Sequence, residues 1–259
     1  MTNPLIEMQR LGQSPWHDNI RRQLLTSGKL KKMVKDGDIT GLTSNPTIFE
    51  QAIAGSTDYD ETIEALARDD RVRVVVPAPV VPLAAGAGLA PDRLVGAVPG
   101  RPLTVGDVTV HPVPALHGVH VADAYSHGLP GDGGQVRYLG YVLETPAGRL
   151  YHAGDTLRWP GQAELLRGLG VEVALLPVNG RDARREALDI VGNLDGREAL
   201  ELVRDAAVPT LVPMHYDLME GNLGDLGELV RLAPELHPGG RVAVLERMAE
   251  TPLASLVAT

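Results

Sequence analysis

The chain contains no cysteine, which excludes a disulfide framework, a thiolate nucleophile and a Cys-based zinc site. Any metal must therefore be held by histidine and carboxylate. Lysine is nearly as scarce. The four present, Lys29, Lys31, Lys32 and Lys35, lie in one basic stretch, and everything after Lys35 uses arginine as its strong base. Aromatic residues make up 3% of the chain, with one phenylalanine, Phe49, which leaves few anchors for a large protein interface. There is no basic excess either. The formal net charge is −9, so a phosphate backbone meets no complementary surface and nucleic acid is not an expected partner. No apolar run approaches the roughly 20 residues that cross a bilayer, and the opening MTNPLIEMQR carries neither a signal-peptide nor a transit pattern. The expectation is a soluble, cytoplasmic protein with no membrane partner.

What is present divides near Asp70. Residues 1–70 hold three of the twenty prolines and all the lysine, with 8 basic and 11 acidic side chains. From Arg71 onward the chain is rich in Val, Leu, Gly, Pro and Arg, with 16 basic and 22 acidic side chains. The 259 residues and 44% hydrophobic content suffice for a real core. The expected domains are residues 1–70 and 71–259.

The first part reads as short helices over 19–26 and 29–35, separated by Gly28, then a strand over 39–43. Pro46 suits the first turn of a helix to Ile53, and Asp58 or Asp60 suits the cap of another to about Ala67. Strand ends feeding helix starts are typical of a β/α barrel. The run NPLIEMQRLGQSPWHDNIRRQLLTSGKL and the following GLTSNPTIFEQAIAGSTDYDETI resemble the N-terminus of bacterial transaldolases, TSNPTIF being the specific motif. That resemblance implies a fragment of a TIM barrel. It assigns Asp18 to catalytic proton transfer and Asn45 to binding a sugar phosphate. The Schiff-base lysine is missing, because no lysine follows Lys35. Lys29 to Lys35 belong to a solvated helix face, where nothing lowers an amine pKa.

The second part reads as short strands over 72–76, 103–105, 108–113, 138–144, 149–152, 171–176 and 210–214, with a helix over 195–207. Gly106-Asp107 and Pro146-Ala147-Gly148 mark two hairpins. Polar residues follow several strands: His117, Asp155, the run from Asn179 to Asp182, and His215 with Asp217. Strand ends from one layer converge on one rim, and imidazole with carboxylate suits zinc, iron or manganese.

The segments PALHGVHVADAYSHG, YLGYVLETPAGRLYHAGDT, ALLPVNGRDARREALDIVGNLDGREALELV and LVPMHYDLMEGN resemble the later two-thirds of metallo-β-lactamase-fold hydrolases, in the branch containing L-ascorbate-6-phosphate lactonase. The resemblance implies an α/β (α+β) fold, an αβ/βα sandwich made incomplete by a missing first segment. It assigns His117, Asp155 and His215 as metal ligands, with Asp155 and His215 also catalytic. Asn179, Arg181 and Asp182 become rim residues for an anionic substrate, Arg181 suiting a phosphate. The family's HxHxDH motif is absent. Each of two metals would keep two protein ligands, so the expectation is one weakly bound Mn, Zn or Fe ion shared by the three. His120, His127, His152 and Asp123 lie nearby in sequence as substitutes. The missing segment also bares one sheet face, which invites self-association.

The expected function is metal-dependent hydrolysis of a lactone or phosphorylated-sugar ester by metal-activated water, in impaired form, on a small anionic substrate. The alternatives are a transaldolase-related protein of the pentose phosphate pathway, inactive for want of its lysine, and a non-enzymatic fusion or an artefact of gene prediction.

Overall fold

The computed structural model describes residues 3–11, 13, 15–17, 24, 27–39, 41–42, 72–86, 89–127, 136–217, 221–246 and 250–257. The chain divides into two compact units, one made chiefly of Met1–Val72 and the other of Arg73–Asp217 with Gly221–Thr259.

In the first unit, Asn3 caps helix α1 (Pro4–Arg10) by accepting a bond from the Leu5 amide at 3.0 Å, and Pro4 supplies the preset first turn. Strands β1 (Trp16–His17) and β2 (Gly41–Leu42) pair in parallel, the geometry of a βα repeat. The helix expected over 29–35 is present as α2 (Lys29–Lys35). Gly28, expected to end a preceding helix, adopts a left-handed φ of 72° at the N-cap of α2. The expected helices after Pro46 and around Asp60, and most of the one over 19–26, lie outside the described residues.

The second unit opens with β3 (Val74–Pro77), paired in parallel with β4 (Leu94–Ala97) across helix α3 (Val81–Gly86). A seven-stranded sheet follows, in the order β11-β10-β9-β8-β7-β6-β5. Its strands are β5 (Leu103–Val105), β6 (Val108–Pro114), β7 (Leu139–Thr145), β8 (Gly148–His152), β9 (Val173–Pro177), β10 (Thr210–Met214) and β11 (Arg241–Val242). The two hairpins form where their turns predict. Val105 faces Val108 across Gly106, whose φ of 63° only glycine adopts cheaply, and Thr145 faces Gly148. The pairings from β5 to β8 are antiparallel and those from β8 to β11 parallel. Crossover helices impose the difference: α4 (Gln162–Gly168), α6 (Gly196–Asp205) and α7 (Leu226–Leu236) each return the chain to the same end of the sheet.

The three crossover helices cover one face. Ala163 and Leu166, then Leu200, Leu202 and Val203, then Leu229 and Leu232 pack onto Val142, Tyr151, Ala174, Leu176 and Leu211. Leu200, Leu202 and Leu211 are fully buried, each contributing about 1.5–3 kcal/mol. The opposite face is partly covered by the chain's own C-terminal stretch. Leu256 joins Val173, Val212 and Ala243 in a second cluster, with Leu150, Leu175, Leu253 and Val257 against it. The Thr210 hydroxyl fixes that stretch by donating to the Leu256 carbonyl at 2.8 Å.

Candidate metal centre

Strands β6 and β8 both run antiparallel to β7, and β8, β9 and β10 are mutually parallel. The C-terminal ends of β6, β8, β9 and β10 therefore share one rim. His117, Asp155, Asn179 and His215 all follow those ends.

The loops are stitched together before the side chains meet. His117 exchanges two backbone bonds with Ser126, at 3.1 and 3.2 Å, while the Leu116 amide donates to Thr156 Oγ1 at 3.0 Å and the Leu157 amide to the Leu116 carbonyl at 3.0 Å. These bonds bring the turn after β6 against the turn after β8. Gly154, just before Asp155, takes a φ of 63°, and His215 takes a φ of 59° directly after β10. A left-handed histidine is strained backbone of the kind that gathers at functional sites.

His117 Nε2 lies 3.8 Å from Asp155 Oδ2, and His215 Nε2 lies 3.6 Å from Asp155 Oδ1. Each imidazole thus faces a different oxygen of one carboxylate. The side chains of His117 and His215 are 22% and 20% exposed, against 38% for Asp155. Burial pushes the His117 imidazole below its ordinary pKa, with Asp155 opposing and His215 reinforcing. The neutral form, whose lone pair can ligate, is therefore favoured. The rings of His117 and Tyr138 also meet in a T-shaped contact, centroids 5.8 Å apart at 83°.

Does this trio suit a divalent ion? The donor chemistry does, with two imidazole nitrogens and a carboxylate. Bonds of about 2.1 Å at a tetrahedral angle place two donors about 3.4 Å apart, slightly closer than the distances here. As placed, no group of three or more His, Asp or Glu side chains that could hold a metal ion occurs among the described residues. The Nδ1 atoms of His117 and His215 are buried without a partner among the described residues, although a ligating histidine ordinarily donates its other ring proton. The donor types suit a divalent ion, whereas their placement is more open than a bound ion requires.

The other expected site residues are placed differently. Asn179 is buried, donating from Nδ2 to Asn222 Oδ1 at 2.9 Å and accepting at Oδ1 from Asn193 Nδ2 at 3.0 Å. Arg181 forks onto Glu198 through two bonds of 2.7 Å and donates to the Asn193 carbonyl. Asp182 caps a short helix, α5 (Ala183–Glu186), accepting from the Arg185 amide at 2.9 Å. His120 pairs with Asp189 at 2.6 Å, His127 Nδ1 contacts the Ala115 carbonyl at 2.9 Å, and His152 Nδ1 accepts from the Gly154 amide at 3.1 Å. The His120 contact raises the His120 pKa, the Asp189 hydrogen bond being the larger cause. Asp123 accepts from the His120 amide at 2.9 Å. Asp18 and Asn45 lie outside the described residues. Asn193, not singled out in the sequence, donates to Asp155 Oδ1 at 3.3 Å. Its one sequence signal is its place two residues before the helix cap Asp195, which is too little to find it.

Residues 54–216 match the family described as the beta-lactamase superfamily domain, and residues 15–80 match the transaldolase/fructose-6-phosphate aldolase family. Among solved structures, the metallo hydrolase Igni18 from Ignicoccus hospitalis is 21% identical with a TM-score of 0.52, covering 74% of this chain and 72% of that one. The metallo-beta-lactamase fold protein YhfI from Bacillus subtilis is 12% identical with a TM-score of 0.52, covering 91% and 86%. At these identities the likeness establishes the fold. A transaldolase 2 from Nostoc punctiforme is 55% identical over 64 residues, 25% of this chain. A transaldolase from Trichodesmium erythraeum is 54% identical over 65 residues, also 25%. The chain spans 17% of the length of each of these two transaldolases. The chain thus joins a transaldolase-type beginning to a metallo-β-lactamase-type remainder.

Proposed function

The chain belongs to the beta-lactamase superfamily, and from that premise we propose that residues 71–259 form a reduced metallo-hydrolase domain, with residues 1–70 a transaldolase-derived addition. His117, Asp155 and His215 hold one divalent ion, Mn, Zn or Fe. Such an ion, when bound, supplies Lewis acidity toward a carbonyl and acidifies a water molecule. The supporting observation is that two Nε2 atoms from separate strand ends face the two oxygens of Asp155, at 3.6 and 3.8 Å. Asp155 orients both rings, and burial keeps His117 neutral for ligation. The substrate class is a small anionic lactone or phosphorylated-sugar ester. Activity is low, because three donors bind an ion less tightly than a closed four-ligand set.

The experiment is turnover of a sugar lactone and of a phosphorylated-sugar ester with added Mn or Zn, compared with His215→Ala. Slow metal-dependent turnover lost in the variant is expected; equal rates in both proteins would refute the assignment. The 55% identity to a transaldolase over 64 residues favours a second reading, a transaldolase relative in which Asp18 and Asn45 persist without a Schiff-base lysine. Borohydride trapping with a sugar phosphate should leave the mass of the chain unchanged. A covalent adduct would restore transaldolase chemistry as the function.

A further inference from the structure

Three buried carboxamides link an arginine to Asp155, and the chemistry of the arginine fixes their direction. Asn179, Asn193 and Asn222 are 2%, 1% and 7% exposed. Arg185 Nη1 donates to Asn222 Oδ1 at 2.9 Å and to the Asn179 carbonyl at 2.7 Å, while its Nε donates to Asp182 Oδ2 at 2.6 Å. A guanidinium only donates, so Asn222 must present oxygen to it. The same oxygen accepts from Asn179 Nδ2 at 2.9 Å, which turns Asn179 Oδ1 toward Asn193. Asn193 must then present its NH2. One hydrogen serves Asn179 at 3.0 Å and the other serves Asp155 Oδ1 at 3.3 Å. A flipped Asn193 would set carbonyl oxygen against both the Asn179 oxygen and the carboxylate.

We infer that Asn193 is a positioning residue, held as a donor by the Arg185–Asn222–Asn179 relay, and that it fixes the Asp155 carboxylate for the ion. This rests on the reading that Asp155 is a ligand. Among the three candidate ligands it fills a role left open elsewhere, since Nδ1 of both histidines lacks a partner among the described residues. Outer partners of this kind change metal affinity by about 10–100-fold when removed. The relay also gives Asn179 and Asp182 a use that needs no substrate contact: Asp182 aligns Arg185, and Asn179 passes its polarity on.

The test uses the full chain and cobalt(II) alone. Affinity is measured by calorimetry and coordination by the visible spectrum, for the unaltered protein, Asn193→Ala and Leu194→Ala. Leu194 is a fully buried neighbour, so its truncation reports packing loss without touching the relay. Asn193→Ala is expected to weaken cobalt binding about 10–100-fold with an altered spectrum, while Leu194→Ala lowers the melting temperature and leaves affinity near the unaltered value. Equal affinity losses in the two variants would overturn the inference. A second readout needs no metal: in the chelator-treated, 15N-labelled protein, the Asn193 carboxamide protons should shift in Asp155→Asn. Should the unaltered chain bind no cobalt, the metal assignment fails and this shift alone decides the placement of Asn193. Unmoved signals would overturn it.

Discussion

His215 carries the clearest backbone cost at the rim. Its φ of 59° is left-handed, a region that costs a side-chain-bearing residue about 1–2 kcal/mol and glycine little. His215→Gly should therefore be more stable than His215→Ala by about 1 kcal/mol in urea unfolding, although both lose the imidazole. Equal stabilities would mean that the strain is relieved elsewhere. His117 makes the metal-free protein sensitive to acid. Burial, opposed by Asp155, holds its pKa below the ordinary value, so the unfolded chain takes up this proton first as pH falls. The associated stability is fully present above about pH 6.5, the unfolded value, and declines below it until the folded protein protonates too. With chelator present, the urea midpoint should fall between about pH 7.5 and 5.5 more steeply than in His117→Gln. Parallel curves would contradict it. That His117, Asp155 and His215 come after strand ends was legible from the strand pattern, while their role as ligands is the proposal made above. Asn193 was not, because its role depends on a hydrogen bond to a residue 38 positions away.

At the level of elements, the crossover helix between β9 and β10 sets the rim geometry. Asp195 accepts from the Glu198 amide at 2.8 Å while Glu198 accepts from the Asp195 amide at 3.0 Å, a reciprocal capping box. Glu198 also receives the Arg181 fork, so one side chain closes the helix start and pins the loop after β9. Asp195→Ala should cost about 1 kcal/mol, read as a lower urea midpoint without loss of secondary structure; an unchanged midpoint would show the cap to be redundant. The hairpins were legible from Gly106-Asp107 and Gly148, whose turns allow few alternatives. The helix over 195–207 was legible from its apolar spacing. Strand direction was not read from the sequence, although the apolar runs at 171–176 and 210–214 are of the kind that buried parallel strands carry. It follows instead from the helices at Gln162–Gly168 and Leu226–Leu236, which the sequence pattern did not isolate.

For the whole molecule, the change of composition near Asp70 sets the proposed boundary between residues 1–70 and 71–259. Among the described residues, the first unit shows two parallel strands, far short of a closed eight-stranded barrel. In the second unit, the sheet face opposite the crossover helices is partly covered by the C-terminal stretch. That cover was not legible, because TPLASLVAT is short and carries no periodic signal. Leu256 is 5% exposed within it, and Leu256→Ala should cost about 2–3 kcal/mol and promote association, seen by light scattering. No change in either would mean that the end is not part of the core. Without HxHxDH, the chain is proposed to hold one ion between three strand ends. The direct measurement is metal stoichiometry by plasma mass spectrometry on the purified, mass-verified chain, beside His117→Ala and His215→Ala. About one equivalent of Mn, Zn or Fe, lost in both variants, is predicted. No metal above background after reconstitution would contradict the account and leave the hydrolase fold as ancestry alone.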